Sequence, residues 1–547
     1  MSWSYPTSSD VEDYLACLPY GVGHFSEGMC LFIKMGAHRI LLDCGLSDIS
    51  PLIDNSSTPD AVICSHAHAD HARGLFDFHR FSPQVPIYAS EVTTQLLPLN
   101  WPELSIEESS SFYFPVPWRQ PLELAEDLVV QFFPAGHLPG AAIIALTYTT
   151  SRRTYTLVYT GDFFLSNSQL VEGLSIESLK HLSPDVLIIE GSYGTARYPH
   201  RRQQEKKLMS QINQALAEQK NVLMPVPILG LGQEILKLLR SHHQFTGRDL
   251  DIWVDPNVAS GCDTYLQLLP EFPIAVQNFA KHQPLFWDER VCPRMRRLDA
   301  QTRFDGEHLP CIVLTDCNLD WQRYCRYEPN DWLILLPSPT NLHFDENLLI
   351  PELSLESYHL SEHCDRQGTT QLIHNLRPQH VIFVHGSPNY LADLTSLEEL
   401  QNRYHLHYPA AGKLVELPIG DTFIQPEVPP ETKYQGELNE LASEVNITLG
   451  NSIKRDSRWN NFGDTGLVEA RWQGEELIIR AITQRELLAQ SNDARLLTNT
   501  DCCRNCCHQR GQRCWNGASP LYGFKVTPEG YCPVFEPVKE LPKTVEE

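Results

Sequence analysis

The sequence predicts an α/β protein of several domains, and three features lead to that class. Short apolar runs broken by turns fill the stretch from Leu31 to Asp162, strands alternate with amphipathic helices between Gly191 and Leu360, and a cysteine cluster follows a proline-rich break near the C-terminus. The first texture is that of a sheet covered on one or both faces. The second is an α/β layer, and the third a short segment held by a metal instead of a core. At about 150 residues per domain, 547 residues make room for roughly three or four.

The strands of the first region are LFIKMG, HRILLDCG, DAVICS, PIYAS, DLVVQFF, AAIIALTYTT and YTLVYTGD. In the second, QEKKLMSQINQALAEQ places Leu208, Ile212, Ala215 and Leu216 at helical spacing, Gln233 to Arg240 predicts another helix, and NVLMPVP, LDIWVD, CIVLTD and WLILLP predict strands. After Arg366 the order is helix TTQLIHNLRP, strand HVIFVHG and strand KLVELPIGD. QPEVPPETKYQGE mixes three prolines with acidic residues, a linker composition. Beyond it, GLVEARW-QGE-ELIIRAI predicts a hairpin and ITQRELLAQ a helix.

Composition bounds the function. A chain that is 42% hydrophobic and 20% charged is not wholly disordered. With 43 Lys+Arg against 68 Asp+Glu the net charge is 43 − 68 = −25, which at long range repels a polyanion. The opening MSWSYPTSSDVED has neither a basic segment nor an apolar one, and no apolar run reaches the roughly 18 residues of a membrane span. A cytoplasmic, reducing compartment is expected, with the ten cysteines between Cys17 and Cys364 acting as small buried hydrophobes.

The chemistry concentrates in CSHAHADHARG, directly after the strand DAVIC. Its His66, His68, Asp70 and His71 offer three imidazoles and a carboxylate suited to Zn²⁺, with backbone alternation letting His66 and His68 converge while Asp70 and His71 turn to a neighbouring ion. A loop at a strand end needs no histidines for its stability. Four ligands do not fill two sites, and His137 in PAGHLPGAA, Asp162 in YTGDF and His385 in VIFVHGSP each end an apolar run beside glycine, as candidates for the remainder.

The order LLDCG, SHAHADH, GHLPG, YTGDF resembles the metallo-β-lactamase fold, and EGSYGTARYPHRR, LSEHCDRQG and FVHGSP resemble the three additional motifs of its β-CASP nucleases, over residues 20–420. The resemblance implies an αββα sandwich with an inserted α/β domain: 1–190 as the first part of the hydrolase domain, 191–365 as the insertion, 366–424 as the return, 425–444 as a linker and 445–547 as a small C-terminal metal-binding module. It implies two zinc ions, one on His66, His68 and His137, the other on Asp70, His71 and His385, with Asp162 bridging and Asp43 orienting a ligand histidine. His363 and Glu190 would lie on the inserted domain, facing the metals across a cleft, with His363 giving a proton to the leaving oxygen. Asp70, His363, Glu190 and Asp43 are therefore the expected catalytic set.

Implied further is RNA phosphodiester hydrolysis leaving a 5′-phosphate and a 3′-hydroxyl, with single-stranded RNA expected before DNA and a homodimer or processing-complex partner as a candidate association. The chain departs from the pattern where relatives carry Ser/Gly/Met-rich and Gly-rich loops: Asp316–Tyr324 reads DCNLDWQRY and Leu335–Asn341 reads LLPSPTN. Without the small residues of a 5′-monophosphate pocket, endonucleolytic cleavage is expected over exonucleolytic. Thioester or lactone hydrolysis on the same fold and a noncatalytic scaffold are the competing classes. Two basic clusters, Arg197 to Lys207 and Arg290 to Arg303, offer local contact surface against the global charge.

The C-terminal module carries Cys502, Cys503, Cys506, Cys507, Cys514 and Cys532, with His508 among them. Cys503 and Cys506 form a C-x₂-C, and with Cys507, Cys514 and Cys532 available the group suits a further Zn²⁺ or a [4Fe–4S] cluster.

Overall fold

The computed structural model describes residues 14–24, 26–53, 58–298, 310–317, 324–325, 329–338, 353–420, 436–440, 445–449, 468–473, 476–481, 506–510 and 513–516. The chain divides into two compact units, 1–421 and 422–547. No helix among the described residues is long and apolar enough to cross a membrane.

In the first unit two seven-stranded sheets enclose the main core. One runs in the order Val415–Glu416, Leu15–Val22, Met29–Met35, His38–Leu42, Ala61–Ile63 (β1), Ile87–Ser90, Tyr113–Val116. The other runs His405–His407, His380–Val384, Val186–Glu190, Thr154–Tyr159, Ala142–Thr149, Leu128–Pro134, Leu122–Ala125. In this second sheet Thr154–Tyr159 is β2, Val186–Glu190 is β3 and His380–Val384 is β4. The strands read as continuous apolar runs because both faces are covered, and Ile33, Ile63, Phe132, Ile144, Leu157, Ile188 and Ile382 share one buried cluster between the sheets.

The chain leaves the sandwich after β3 and returns at β4, yet these two strands are direct parallel neighbours, Glu190 opposite Val384. The described strands between them form a separate six-stranded, all-parallel sheet in the order Arg294–Arg297, Asp251–Val254, Ile312–Asp316, Asn221–Val226, Trp332–Pro337, Ser354–Tyr358. Its own core holds Leu223, Val313, Trp332 and Ile334. Helices Arg201–Ala217 (α1) and Leu231–Ser241 (α2) flank this lobe. In α1, Leu208, Ile212, Ala215 and Leu216 are buried together.

The topology gathers strand ends. β2 and β3 pair in parallel, as do β3 and β4, so Asp162, Glu190 and His385 follow or end neighbouring strands at one sheet edge. Ligands of α/β sheets characteristically sit outside such carboxyl ends. His38–Leu42 and β1 are likewise parallel, placing Asp43 beside the start of the histidine loop. Asp43 (φ 57°) and His385 (φ 53°) both adopt the left-handed region, a conformation costing about 1–2 kcal/mol. Gly45 leaves no alternative to glycine, because a Cβ there would lie 1.6 Å from the Asp70 carbonyl oxygen.

Before β4 in the chain, helix Arg366–Leu376 is capped by Asp365, whose carboxylate accepts from the amides of Gln367 and Gly368 at 3.0 Å each. His374 near its end is half-buried against Tyr404, the two joined by a 3.0 Å hydrogen bond, and desolvation pushes its pKa down to about 4. Unfolded, it titrates near 6.5. Between those values the unfolded chain binds the extra proton, so stability is complete above pH 6.5 and falls as the pH drops toward 4, by up to about 3 kcal/mol from this group. Thermal unfolding from pH 7 to 4.5 is expected to show a shallower acid decline in His374→Gln than in the wild type.

In the second unit, Gly436–Glu440 pairs antiparallel with Val445–Leu449, so a strand occupies part of the segment 425–444 expected as linker. Val468–Gln473 and Glu476–Ala481 form the expected hairpin, while ITQRELLAQ lies outside the described residues.

Candidate metal centre

His68 is extended (φ −64°, ψ 145°) and Ala69–Ala72 turns into a single helical turn, which groups Asp70 and His71 with His385 while the His71 ring stays 4.0 Å from that of His66. Nδ1 of His68 lies 3.2 Å from Nε2 of His66 and 3.1 Å from Nε2 of His137. Three ligands on a tetrahedral zinc at about 2.0–2.1 Å would stand roughly 3.3 Å apart, so the triad has the size of such a site. Asp162 completes that group, and Asp70, His71 and His385 form a second one. The Asp162 carboxylate lies between them: Oδ2 is 3.5 Å from Nε2 of both His66 and His71 and 3.7 Å from Nε2 of His137, while Oδ1 is 3.5 Å from Nδ1 of His385.

Two buried atoms in this cluster, Nε2 of His71 and Oδ1 of Asp162, have no hydrogen-bond partner. Buried polar atoms left this way are rare unless an ion or water belongs there. Each imidazole, by contrast, has its other nitrogen engaged: Nδ1 of His66 with Ser65 Oγ (3.0 Å), Nε2 of His68 with the Leu229 carbonyl (3.4 Å), Nδ1 of His71 with Asp43 Oδ2 (2.7 Å), Nδ1 of His137 with the Glu362 carbonyl (2.9 Å) and Nδ1 of His385 with Ser192 Oγ (2.8 Å). These partners select the tautomers that aim the free lone pairs inward, as around protein-bound zinc. The residues therefore fit metal binding.

Electrostatics agrees. Burial, together with neighbouring imidazoles, keeps His66 and His137 well below the ordinary imidazole pKa, so their lone pairs stay available. Burial also opposes a proton on His71, but the Asp162 and Asp43 carboxylates outweigh it and raise its pKa well above the usual value.

Asp43 is completely buried and accepts from the Ser65 amide (2.6 Å), Ser65 Oγ (2.7 Å), Tyr159 Oη (2.6 Å) and His71. Asp43→Asn keeps the shape but loses the charge that orients His71. Zinc affinity is expected to fall about 10–100-fold, as for other partners behind metal ligands, read by competition with a chromophoric chelator.

Glu190 corrects one expectation. It ends β3 in the hydrolase sheet, inside the sandwich, instead of on the inserted lobe, because the apolar run that carries it pairs with β2 and β4. It accepts from the Phe163 amide (2.8 Å) and from Ser192 Oγ, and Oε2 lies 2.9 Å from Nδ1 of His363. His363 follows Ser354–Tyr358 and is 4.0 Å from Asp162, so the pair adjoins the ligands directly, with no open cleft between. Asp162, Glu190, His363 and His385 also form a third group of metal-holding geometry.

The second basic cluster is not a bare patch. Arg294 pairs with Asp249 and Asp251, Arg297 with Asp263 and Arg290 with Asp288, while Arg296 and Arg297 lie over Trp253 and Trp287. Arg303 lies outside the described residues. In the first cluster Arg201 is buried, while Arg197, Arg202, Lys206 and Lys207 are exposed.

Of the C-terminal cysteines, Cys506 and Cys514 are buried and Cys507 exposed around a short hairpin, Gln509–Arg510 with Arg513–Cys514. Cys502, Cys503 and Cys532 lie outside the described residues, and among those described no cysteine joins a metal-holding group.

Comparison with known proteins follows the same geometry. Residues 38–221 match the Beta-lactamase superfamily domain, a span containing Asp43, His66 to His71, His137, Asp162 and Glu190. Residues 352–409 match the Zn-dependent metallo-hydrolase RNA specificity domain, which contains His363 and His385. An uncharacterized protein of Synechocystis sp. is 49% identical over 98% of this chain and 100% of its own length. The Probable RNase MJ4 of Methanocaldococcus jannaschii is 30% identical over 39% of this chain and 54% of its own length. An RNase J-like protein of the same organism is 26% identical over 52% of this chain and 67% of its own.

Proposed function

Because the chain belongs to the zinc-dependent metallo-hydrolases of the metallo-β-lactamase superfamily, in the β-CASP family, we propose that it cleaves single-stranded RNA endonucleolytically, leaving a 5′-phosphate and a 3′-hydroxyl. The observation that carries this reading is the His363–Glu190 pair beside the ligand set. Burial disfavours a charge on His363, but Glu190 and then Asp162 overcome it and hold its pKa up to about 10. At neutral pH the ring keeps its proton. Nδ1 is committed to Glu190, which leaves Nε2 as the nitrogen to protonate a departing 3′ oxygen, the role of a general acid.

His66, His68 and His137 would hold one zinc, Asp70, His71 and His385 a second, with Asp162 shared. When bound, zinc supplies Lewis acidity that lowers the pKa of water and neutralises phosphate oxygens. Asp43, Ser65 and Ser192 keep the ligand rings in register, and Glu190 keeps His363 protonated and oriented. The exposed Arg197, Arg202, Lys206 and Lys207 of the lobe supply the local positive charge that a −25 chain needs in order to approach a polyanion. The RNase names of the relatives and the RNA specificity description of residues 352–409 favour RNA over DNA.

The test is substrate class. Zinc-loaded wild type and an Asp70→Ala, His71→Ala variant are incubated with 5′-labelled single-stranded RNA, the matching DNA and an acyl thioester. Metal-dependent cleavage of RNA by the wild type alone is expected, while hydrolysis of the thioester with both nucleic acids untouched would place the chain among small-molecule hydrolases. For the C-terminal module we assign a further Zn²⁺ or a [4Fe–4S] cluster to four of Cys503, Cys506, Cys507, Cys514 and Cys532. Metal analysis and the visible spectrum of anaerobically purified protein decide between them, a colourless protein excluding the cluster.

A further inference from the structure

Two of the five ligand imidazoles are oriented by the inserted lobe. Nε2 of His68 meets the carbonyl of Leu229, and Nδ1 of His137 meets that of Glu362. The rings of the second group are oriented from the sandwich and its strand ends, by Asp43 and Ser192. A shift of the lobe against the sandwich therefore disturbs the first triad directly and reaches the second group only through Ser192, which His363 contacts at 3.4 Å.

A buried ion pair holds that seating. Glu234 of α2, 5% exposed, accepts from Ser168 Oγ (2.9 Å), the amides of Gln169 (2.7 Å) and Leu170 (2.9 Å), all on the sandwich loop after Asp162, and from Nη2 of Arg201 (3.1 Å). Nη1 of Arg201 donates to the Ser361 carbonyl, and Gln204 grips Ser361 twice more, at its amide (2.7 Å) and its hydroxyl (2.9 Å). Ser361 precedes Glu362, and Glu234 lies one helical turn beyond Gly230. There the fit is close: Gly230 has φ 89°, and a Cβ would lie 3.0 Å from Oε1 of Glu362 and 3.6 Å from Nε2 of His68. One carboxylate and one guanidinium thus fasten both carbonyl-bearing loops to the sandwich.

We propose that Glu234 and Arg201 are positioning residues that couple metal affinity at the His66–His68–His137 triad to the seating of the inserted lobe. Coupling of this kind is reciprocal. Zinc at the triad stabilises the seated lobe, and a lobe displaced to admit or release a strand holds that zinc less tightly, while the Asp70–His71–His385 group responds far less. The inference rests on the metal-site reading above.

The experiment measures zinc affinity by chelator competition in two full-length backgrounds, Asp70→Ala to isolate the triad and His137→Ala to isolate the second group. Glu234→Gln is expected to raise the zinc Kd of the triad about 10–100-fold and that of the second group by no more than about threefold, within one lost hydrogen bond. Hydrogen exchange reads the other direction: zinc should slow amides in 229–234 and 361–363, less so in Glu234→Gln. Ser168→Ala, which removes one of the bonds to Glu234, should move triad affinity the same way by roughly three- to tenfold and serves if Glu234→Gln does not fold. An unchanged triad Kd, or equal losses in both backgrounds, overturns the coupling. Absence of zinc from the Asp70→Ala background altogether overturns the metal site itself, and the coupling with it.

Discussion

Asp162→Asn is expected to reduce RNA hydrolysis on the order of 10³-fold, the upper end for removing one electrostatic group from an active site, and to lower bound zinc below the wild-type content. Asp162 is 2% exposed and completes the His66–His68–His137 group, with its oxygens within 3.5–3.7 Å of nitrogens on His66, His71, His137 and His385. Burial alone would raise its pKa, but His385, His71 and His363 hold it well below the usual carboxylate range, so the charge is present whenever the site is used. Asparagine preserves the volume and one acceptor while removing that charge from between the two groups. Single-turnover rates with metal analysis of the same preparations check the prediction, and an Asp162→Asn protein with wild-type rate and zinc content would refute the bridging role.

His363→Ala should lose about 10²–10⁴ in kcat, the usual contribution of a positioned acid, while keeping its zinc. The metal ligands remain, so the loss falls on the chemical step and not on loading. The pH profile separates this from a structural defect. A general acid works while protonated, and because Glu190 holds His363 up, the wild-type rate should persist above the ordinary imidazole range and fall only on the alkaline side. Glu190→Gln removes the carboxylate that raises it, so that alkaline limb should move toward neutral pH. A limb that stays in place assigns the titration to another group.

How legible the site was in the sequence depended on which atoms carry each role. The proposed ligands are side chains of rare types at or just after the ends of apolar runs, so His66, His68, Asp70, His71, His137, Asp162 and His385 could be picked out from the sequence, and the structure places each of them in a group of metal-holding geometry. The groups that orient them are less visible. Ser65 and Ser192 stand beside singled-out residues but look like ordinary loop serines, and the carbonyls of Leu229 and Glu362 have no side-chain signature at all. Glu234 did leave a trace, a carboxylate flanked on its helical face by Leu231 and Leu238, which only a buried partner explains.

Charge was misread for a related reason. Arg290 to Arg297 is a basic run in one dimension, but Asp249, Asp251 and Asp263 reach it from elsewhere in the chain. The sandwich was legible because continuous apolar strands with both faces covered repeat their pattern. The separation of β3 from β4 by the whole inserted lobe was carried by the motif order, since strand pairing across such a distance leaves no local periodicity.

The central claim, that this metal centre cuts RNA internally, is tested most directly with a circular single-stranded RNA, which has no end for an exonuclease to use. Zinc-loaded wild type should open the circle to a linear product bearing a 5′-phosphate and a 3′-hydroxyl, and Asp162→Asn should leave it closed. A circle that survives the wild type while the same RNA in linear form is degraded from its end would contradict the claim.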